Sequence, residues 1–175
     1  MLPRLLEIQS YLTEDYNTLG DPGVSRLKKK CAEVVADWNT VGAALSAVDD
    51  AREISVYVPK ALQFPYVCIL PERQTQQYTP KPWNERLTHD VQIIIAHSTL
   101  DWRRCQEVLL VYAEAINRLF GLDETLGNRV DGAYISDLQY SEALSSQRTG
   151  HVIQTASLSA VVKAKLQFTD ELNIK

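Results

Sequence analysis

Apolar positions along the chain follow two spacings in turn. Leu5, Leu6, Ile8, Tyr11 and Leu12 recur at helical intervals behind Pro3, a residue tolerated in the first turn of a helix. Gly20-Asp21-Pro22-Gly23 then breaks the chain, as Gly and Pro dictate. Ser25 offers an N-cap for a second helix with Leu27, Cys31, Val34, Val35 and Trp38 on one face. The basic run Lys28-Lys29-Lys30 reads there as a solvated helix face. Residues 40–50 are Ala-rich and fit either helix or loop.

From residue 52 the pattern turns to strands. Residues 54–58 read as a short strand ended by Pro59, and residues 64–70 as a β-rich run bounded by Pro65 and Pro71. Residues 72–85 are polar, with Pro80 and Pro82, and read as an extended connection. Residues 91–96 are β-branched and almost continuously apolar, which predicts a central strand covered on both faces.

The clearest element follows. Ser98 or Thr99 is the expected N-cap, with Asp101 in the first turn at the positive end of the helix dipole. Trp102, Cys105, Leu109, Tyr112, Ile116 and Leu119 then draw one apolar stripe, and Gly121 is placed to close the helix. After a polar loop through residues 123–128 come strands over 133–140 and 152–166. In the second of these, Val152, Ala156, Leu158, Ala160, Val162, Ala164 and Leu166 face one way, with Gln154 and Val161 as exceptions. At ~3.3 Å per residue that strand extends about 50 Å, well beyond the usual ~17–20 Å. Part of it is therefore expected to leave the core sheet or to carry a bulge, and residues 141–150 read as a hairpin loop.

These elements predict an α+β domain with an antiparallel or mixed sheet of four to five strands, helices on one face and a long C-terminal β-hairpin. Residues 1–50 form a helical N-terminal elaboration and residues 52–168 the core of a single domain. A chain of 175 residues buries roughly 70% of its unfolded surface and needs no staples. Its 45% hydrophobic and 23% charged residues are ordinary for a folded protein. No run approaches a membrane span, and the charges near the N-terminus do not suit a signal peptide. Cys31, Cys68 and Cys105 are isolated, which fits buried thiols better than disulfides or a zinc site. A net charge of −4 argues against a protein that grips nucleic acid by its phosphates.

Candidate chemistry is sparse. His89-Asp90, His97 and Asp101 carry groups suited to a general base or to metal ligation, with Ser98 and Cys105 nearby. No motif places a nucleophile against either histidine, and Asp101 is already explained by the helix start. No glycine-rich phosphate loop occurs. Tyr134 and Tyr140, with Phe64 and Tyr66, read as strand aromatics that pack in a core. Arg73, Arg129 and Arg148 fall in loops or at strand ends, where a guanidinium commonly pairs across an interface. Lys163 and Lys165 share a strand face beside Arg148, and residues 140–152, including Tyr140 and His151, form the expected projection. Long strands that reach past a core expose backbone edges able to pair with another subunit.

The order of these segments resembles the tail terminator (tail completion) proteins of long-tailed bacteriophages. The resemblance lies in Phe64-Pro65-Tyr66-Val67-Cys68-Ile69-Leu70-Pro71-Glu72, the polar connection, and His89-Asp90-Val91-Gln92-Ile93-Ile94-Ile95. It continues through the helix over residues 102–120, Asp123-Glu124-Thr125-Leu126-Gly127 and the closing strand pair, and so spans about residues 54–168. It implies a virion protein of the tail or neck, assembled in the host cytoplasm, with no enzymatic activity and no cofactor or metal. It implies a ring, usually sixfold, that caps the tail tube, stops its polymerisation and offers a surface to the head-side connector. The partners would be further copies of the chain, the tail tube protein and the connector. Genomic DNA would pass through the lumen of a mildly acidic ring without specific binding, and no membrane is involved. The longer helical N-terminus departs from the single helix expected there, which keeps another neck or head-tail joining protein of related fold as the alternative. A small metal-dependent enzyme using His89, Asp90, His97 and Asp101, and an adaptor that binds peptides by strand addition, are the readings from other classes.

Overall fold

The computed structural model describes residues 2–14, 24–49, 51–57, 64–78, 84–141 and 156–171. Helix α1 (Leu2–Thr13) buries Leu5, Ile8, Tyr11 and Leu12. Leu6, expected on that stripe, is instead exposed, because the covered face of this short helix is narrow. Helix α2 (Arg26–Thr40) begins as its sequence requires: the Ser25 hydroxyl accepts the Lys28 amide at 3.1 Å. Leu27, Cys31, Val34 and Val35 are buried, with Trp38 packed against them. The basic run is not a purely solvated face, since the Lys28 ammonium donates to the Val48 carbonyl and Lys30 pairs with Glu33. The break at residues 20–23 lies outside the described residues.

Residues 41–49 form a loop, not a helix, and it is strapped to α2 and α3 (Trp102–Leu122). Asn39 exchanges two hydrogen bonds with the backbone of Leu45, and Arg104 donates to the carbonyls of Ser46 and Ala47. The Tyr112 hydroxyl donates to the Asp49 carbonyl at 2.6 Å. The N-cap of α3 is Asp101, whose carboxylate accepts the amides of Arg103 and Arg104 at 3.0 and 3.3 Å. Ser98 and Thr99 are excluded from that role because the preceding strand runs on through both. Gly121 lies inside the helix, and Asp123 caps its C-terminus. The expected stripe is buried from Cys105 to Leu119, while Trp102, at the helix start, is 46% exposed.

Five strands, β1 (Glu53–Ser55), β2 (Tyr66–Tyr78), β3 (Asn84–Thr99), β4 (Gly132–Ser141) and β5 (Ala156–Glu171), form one mixed sheet in the order β1-β2-β3-β5-β4. β1 is parallel to β2 and the other neighbours are antiparallel, so the expected α+β class holds. β1 ends earlier than expected, at Ser55. The polar stretch over residues 72–85 is not a connection: β2 continues to Tyr78 and β3 starts at Asn84, the two pairing throughout. A backbone ladder needs no apolar side chains, and Pro71 is tolerated because β1 stops pairing at Cys68, leaving β2 an edge strand from there. β3 and β5 pair along their full 16 residues, from Asn84 with Glu171 to Thr99 with Ala156, without a register shift. β4 runs beside β5 only as far as Gln167, so the end of β5 does leave the four-stranded region, and the bulge sits on β4 between Ile135 and Asp137. Residues 142–155, which include the expected hairpin loop, lie outside the described residues.

All three helices serve one face of the sheet. Val67, Ile69, Val91, Ile93, Ile95, Val162, Ala164 and Leu166 alternate onto that face and share a single core with the buried residues of α1, α2 and α3. The N-terminal helices thus supply core as well as sequence length. Cys31, Cys68 and Cys105 are buried and form no disulfide. Among the described residues no helix is long and apolar enough to cross a membrane.

Candidate interaction face

The alternation that sends Val91, Ile93 and Ile95 under the helices sends Asp90, Gln92 and Ile94 to the opposite side. Residues paired directly across antiparallel strands share a face, so the register defines rows there. Arg73, Asp90, Lys165 and Tyr134 form one row across β2, β3, β5 and β4; Leu70, Gln92, Lys163 and Asp137 form the next. Glu72, in the bulge of β2 before Arg73, pairs with Lys163 at 3.4 Å. The face therefore carries alternating charge at this level. Toward Tyr66 it is covered: Cys68 is buried and its thiol donates to the Tyr57 carbonyl at 3.3 Å, with burial, then Glu53, raising the thiol's pKa.

Of the interface residues expected from sequence, Arg73, Lys163 and Lys165 meet on this face. Tyr140 stands on β4, opposite Ala160. Arg148 and His151 lie outside the described residues. Arg129 has a different place: its guanidinium contacts Glu14 at 2.9 Å and Glu7 at 3.6 Å and donates to the Leu126 carbonyl, tying the loop after α3 to α1. That loop is organised by Asp123, whose carboxylate accepts from the Thr125 amide and hydroxyl and from the Gly127 amide. Burial raises the Asp123 pKa, but these hydrogen bonds and one from Tyr11 outweigh it and leave the value below the ordinary one. Gly127, at φ +71°, suits the left-handed turn that this loop requires.

The histidine–carboxylate group is dispersed. His89 is buried on the helix face while Asp90 points to the other, so alternation splits the pair. His97 stands at the far end of β3, with its Nδ1 buried and without a hydrogen-bond partner among the described residues. Asp101 is committed to its cap. No group of three or more His, Cys, Asp or Glu among the described residues could hold a metal ion. Sequence reading missed Glu72, Gln92 and Asp137 as members of the charged face. The one available signal was Gln92, a polar residue set between the apolar Val91 and Ile93.

The fold and this face define a one-sided α+β sheet domain with two dissimilar edges. No protein-family model matches the chain, and no curated protein matches it. Among solved structures, a chain from the virion of a native gene transfer agent particle is similar, with a TM-score of 0.40 at 14% identity over 87% of this chain and 99% of that one. A likeness at that level leaves the role of this chain to be reasoned from its own residues.

Proposed function

We propose that the chain is a structural virion protein whose copies form a ring that caps a phage tail tube, ends tube polymerisation and joins the tail to the head-side connector. The reading rests on the resemblance carried by residues 54–168. The observation that supports it best is the sheet itself, whose β2 and β4 edges differ and lie on opposite sides of one layer. Unlike edges favour head-to-tail contacts, and head-to-tail contacts close into rings when the rotation closes. β2, β3 and the end of β5 also continue as a three-stranded blade past the level where β4 stops, a shape suited to reaching a neighbour or the tube. A ring of mildly acidic subunits repels phosphates and lets DNA slide through. The test is the mass of the purified chain over a concentration series by light scattering, with negative-stain images of the largest species. A closed ring of about six copies with a central hole is expected. A chain that stays monomeric at every concentration, and does not cap tail tubes added to it, sinks the reading.

A further inference from the structure

We propose that the two sheet edges are the two halves of one self-contact: residues 70–74 of β2 in one copy pair antiparallel with residues 133–137 of β4 in the next, and Arg73 meets Asp137 across the join. This rests on the ring reading and names the surface that would close the ring. β2 and β4 are separated by three antiparallel steps, β2 to β3, β3 to β5 and β5 to β4, so they run in opposite directions. A neighbour related by rotation about an axis along the strands therefore presents its β4 antiparallel to β2 with the same face outward. The levels also agree. Leu70 shares its row with Asp137, and Arg73 shares its row with Tyr134. Placing β4 beside β2 without sliding sets Tyr134 opposite Arg73 and Asp137 one row along the same face; the contact ends there, because β1 already lines β2 at Tyr66–Cys68 and the neighbour's β4 has to turn away after Leu138. Diagonal neighbours of that kind lie about 7–8 Å apart, within reach of an arginine.

The edges are chemically matched as well. Arg73 is exposed and has no partner among the described residues, while its row-mate Asp90 has one carboxylate oxygen buried without a hydrogen bond. Asp137 is exposed, and among the described residues its carboxylate accepts only from its own strand, the Leu138 amide at 2.9 Å and the Gln139 side chain at 2.7 Å. Tyr134, 45% exposed, offers a ring beside the incoming guanidinium. Each edge is bulged at this level, between Pro71 and Arg73 on β2 and between Ile135 and Asp137 on β4. A bulge raises local twist and re-aims side chains, so the two edges are bent at matching heights. Because Arg73 stands on one edge and Asp137 on the other, the contact joins unlike surfaces and excludes a twofold dimer built on it alone.

The experiment uses the full chain as wild type, as R73E, as D137R, as the double variant R73E/D137R, and as an equal mixture of the two single variants, each followed by light scattering over concentration. Each single reversal sets like charges across the join, and the concentration needed for half-assembly should rise by on the order of tenfold or more. The double variant restores the pair with its polarity exchanged. The mixture restores it wherever the two variants alternate, whatever the effect of either substitution on an isolated subunit. Recovery in the double variant or in the mixture supports the edge contact. Assembly of the single variants at wild-type concentrations, or no recovery in either the double variant or the mixture, overturns it. A wild type that forms rings while the variants are indifferent removes this contact and leaves the ring; a wild type that never associates, alone or on added tail tubes, removes both.

Discussion

On β3, Val91, Ile93 and Ile95 are fully covered by the helices, whereas Gln92 and Ile94, their immediate neighbours on the same strand, remain partly exposed on the other side of the sheet. Both sets belong to one strand and to the same two ladders. What differs is that one face received α1, α2 and α3, and the other received Glu72, Asp90, Lys163, Lys165 and Asp137. The helix face contributes to folding and has nothing left to offer a partner. The charged face contributes little to folding and keeps both its side chains and its flanking edges available. Burial and exposure are thus divided by the two-residue alternation of a single set of strands.

The largest effect expected from this division compares adjacent residues. Ile93→Ala removes a fully buried side chain between α3 and the sheet and should cost about 3 kcal/mol. Gln92→Ala, one position away, should stay within about 0.5 kcal/mol. Urea denaturation of both at one protein concentration measures the contrast. Similar losses for the two would mean that the second face is also packed, and the comparison would fall.

A smaller effect probes the charged face directly. Glu72 and Lys163 join β2 to β5 over the top of β3, both partly exposed. A double-mutant cycle with Glu72→Gln and Lys163→Met should give a coupling of about 0.5 kcal/mol or less in the dissociated chain, as for other solvent-screened pairs. A coupling several times larger under those conditions would show the face to be shielded already within one subunit. Growth of the coupling only on self-association would instead sharpen the division, since a covered ion pair is less screened.

How far the sequence foretold this arrangement depends on which force set each part. Burial is written in the residues it selects, so the stripe from Cys105 to Leu119 and the alternation of Val162, Ala164 and Leu166 were legible before any coordinates. The strand character of residues 72–78 was not, because an edge ladder is satisfied by backbone bonds that any polar residue makes, and Pro71 reads as a terminator unless the strand is known to be unpaired on that side. The Asp101 cap was misplaced by a few residues for a related reason: Ser98 and Thr99 are good caps, but the β3–β5 ladder holds both. The charged face was half legible. Arg73 attracted notice as a guanidinium in a loop or at a strand end, and Lys163 and Lys165 as a row on one strand face, yet the nearness of Glu72 and Asp137 is set by register, which a bulge shifts and a sequence does not display. Arg129 looked equally available and turned out to be committed to Glu7 and Glu14, more than a hundred residues away in the chain.

The smallest expected effect tests whether the covered face, and not the charged one, makes folding sensitive to mild acid. His97 lies at the covered end of β3, where its carbonyl accepts the Cys105 thiol at 3.3 Å. Its pKa is lowered, first by burial and then by the Arg104 guanidinium from α3, with Asp49 from the loop acting in the opposite direction. The folded chain therefore holds this imidazole neutral where the unfolded chain, with an ordinary value of about 6.5, takes up a proton. Protons bound by the unfolded state lower stability as pH falls. The contribution is negligible well above that ordinary value, grows as pH drops below it, and stops growing once pH is under the folded-state value. His97→Gln removes the difference. Denaturation midpoints taken at about pH 7.5 and pH 5.5 should thus fall further on acidification in the wild type than in the variant. Equal falls in the two would assign the acid sensitivity to other groups, and would mean that the end of β3 is open enough for His97 to ionise without cost.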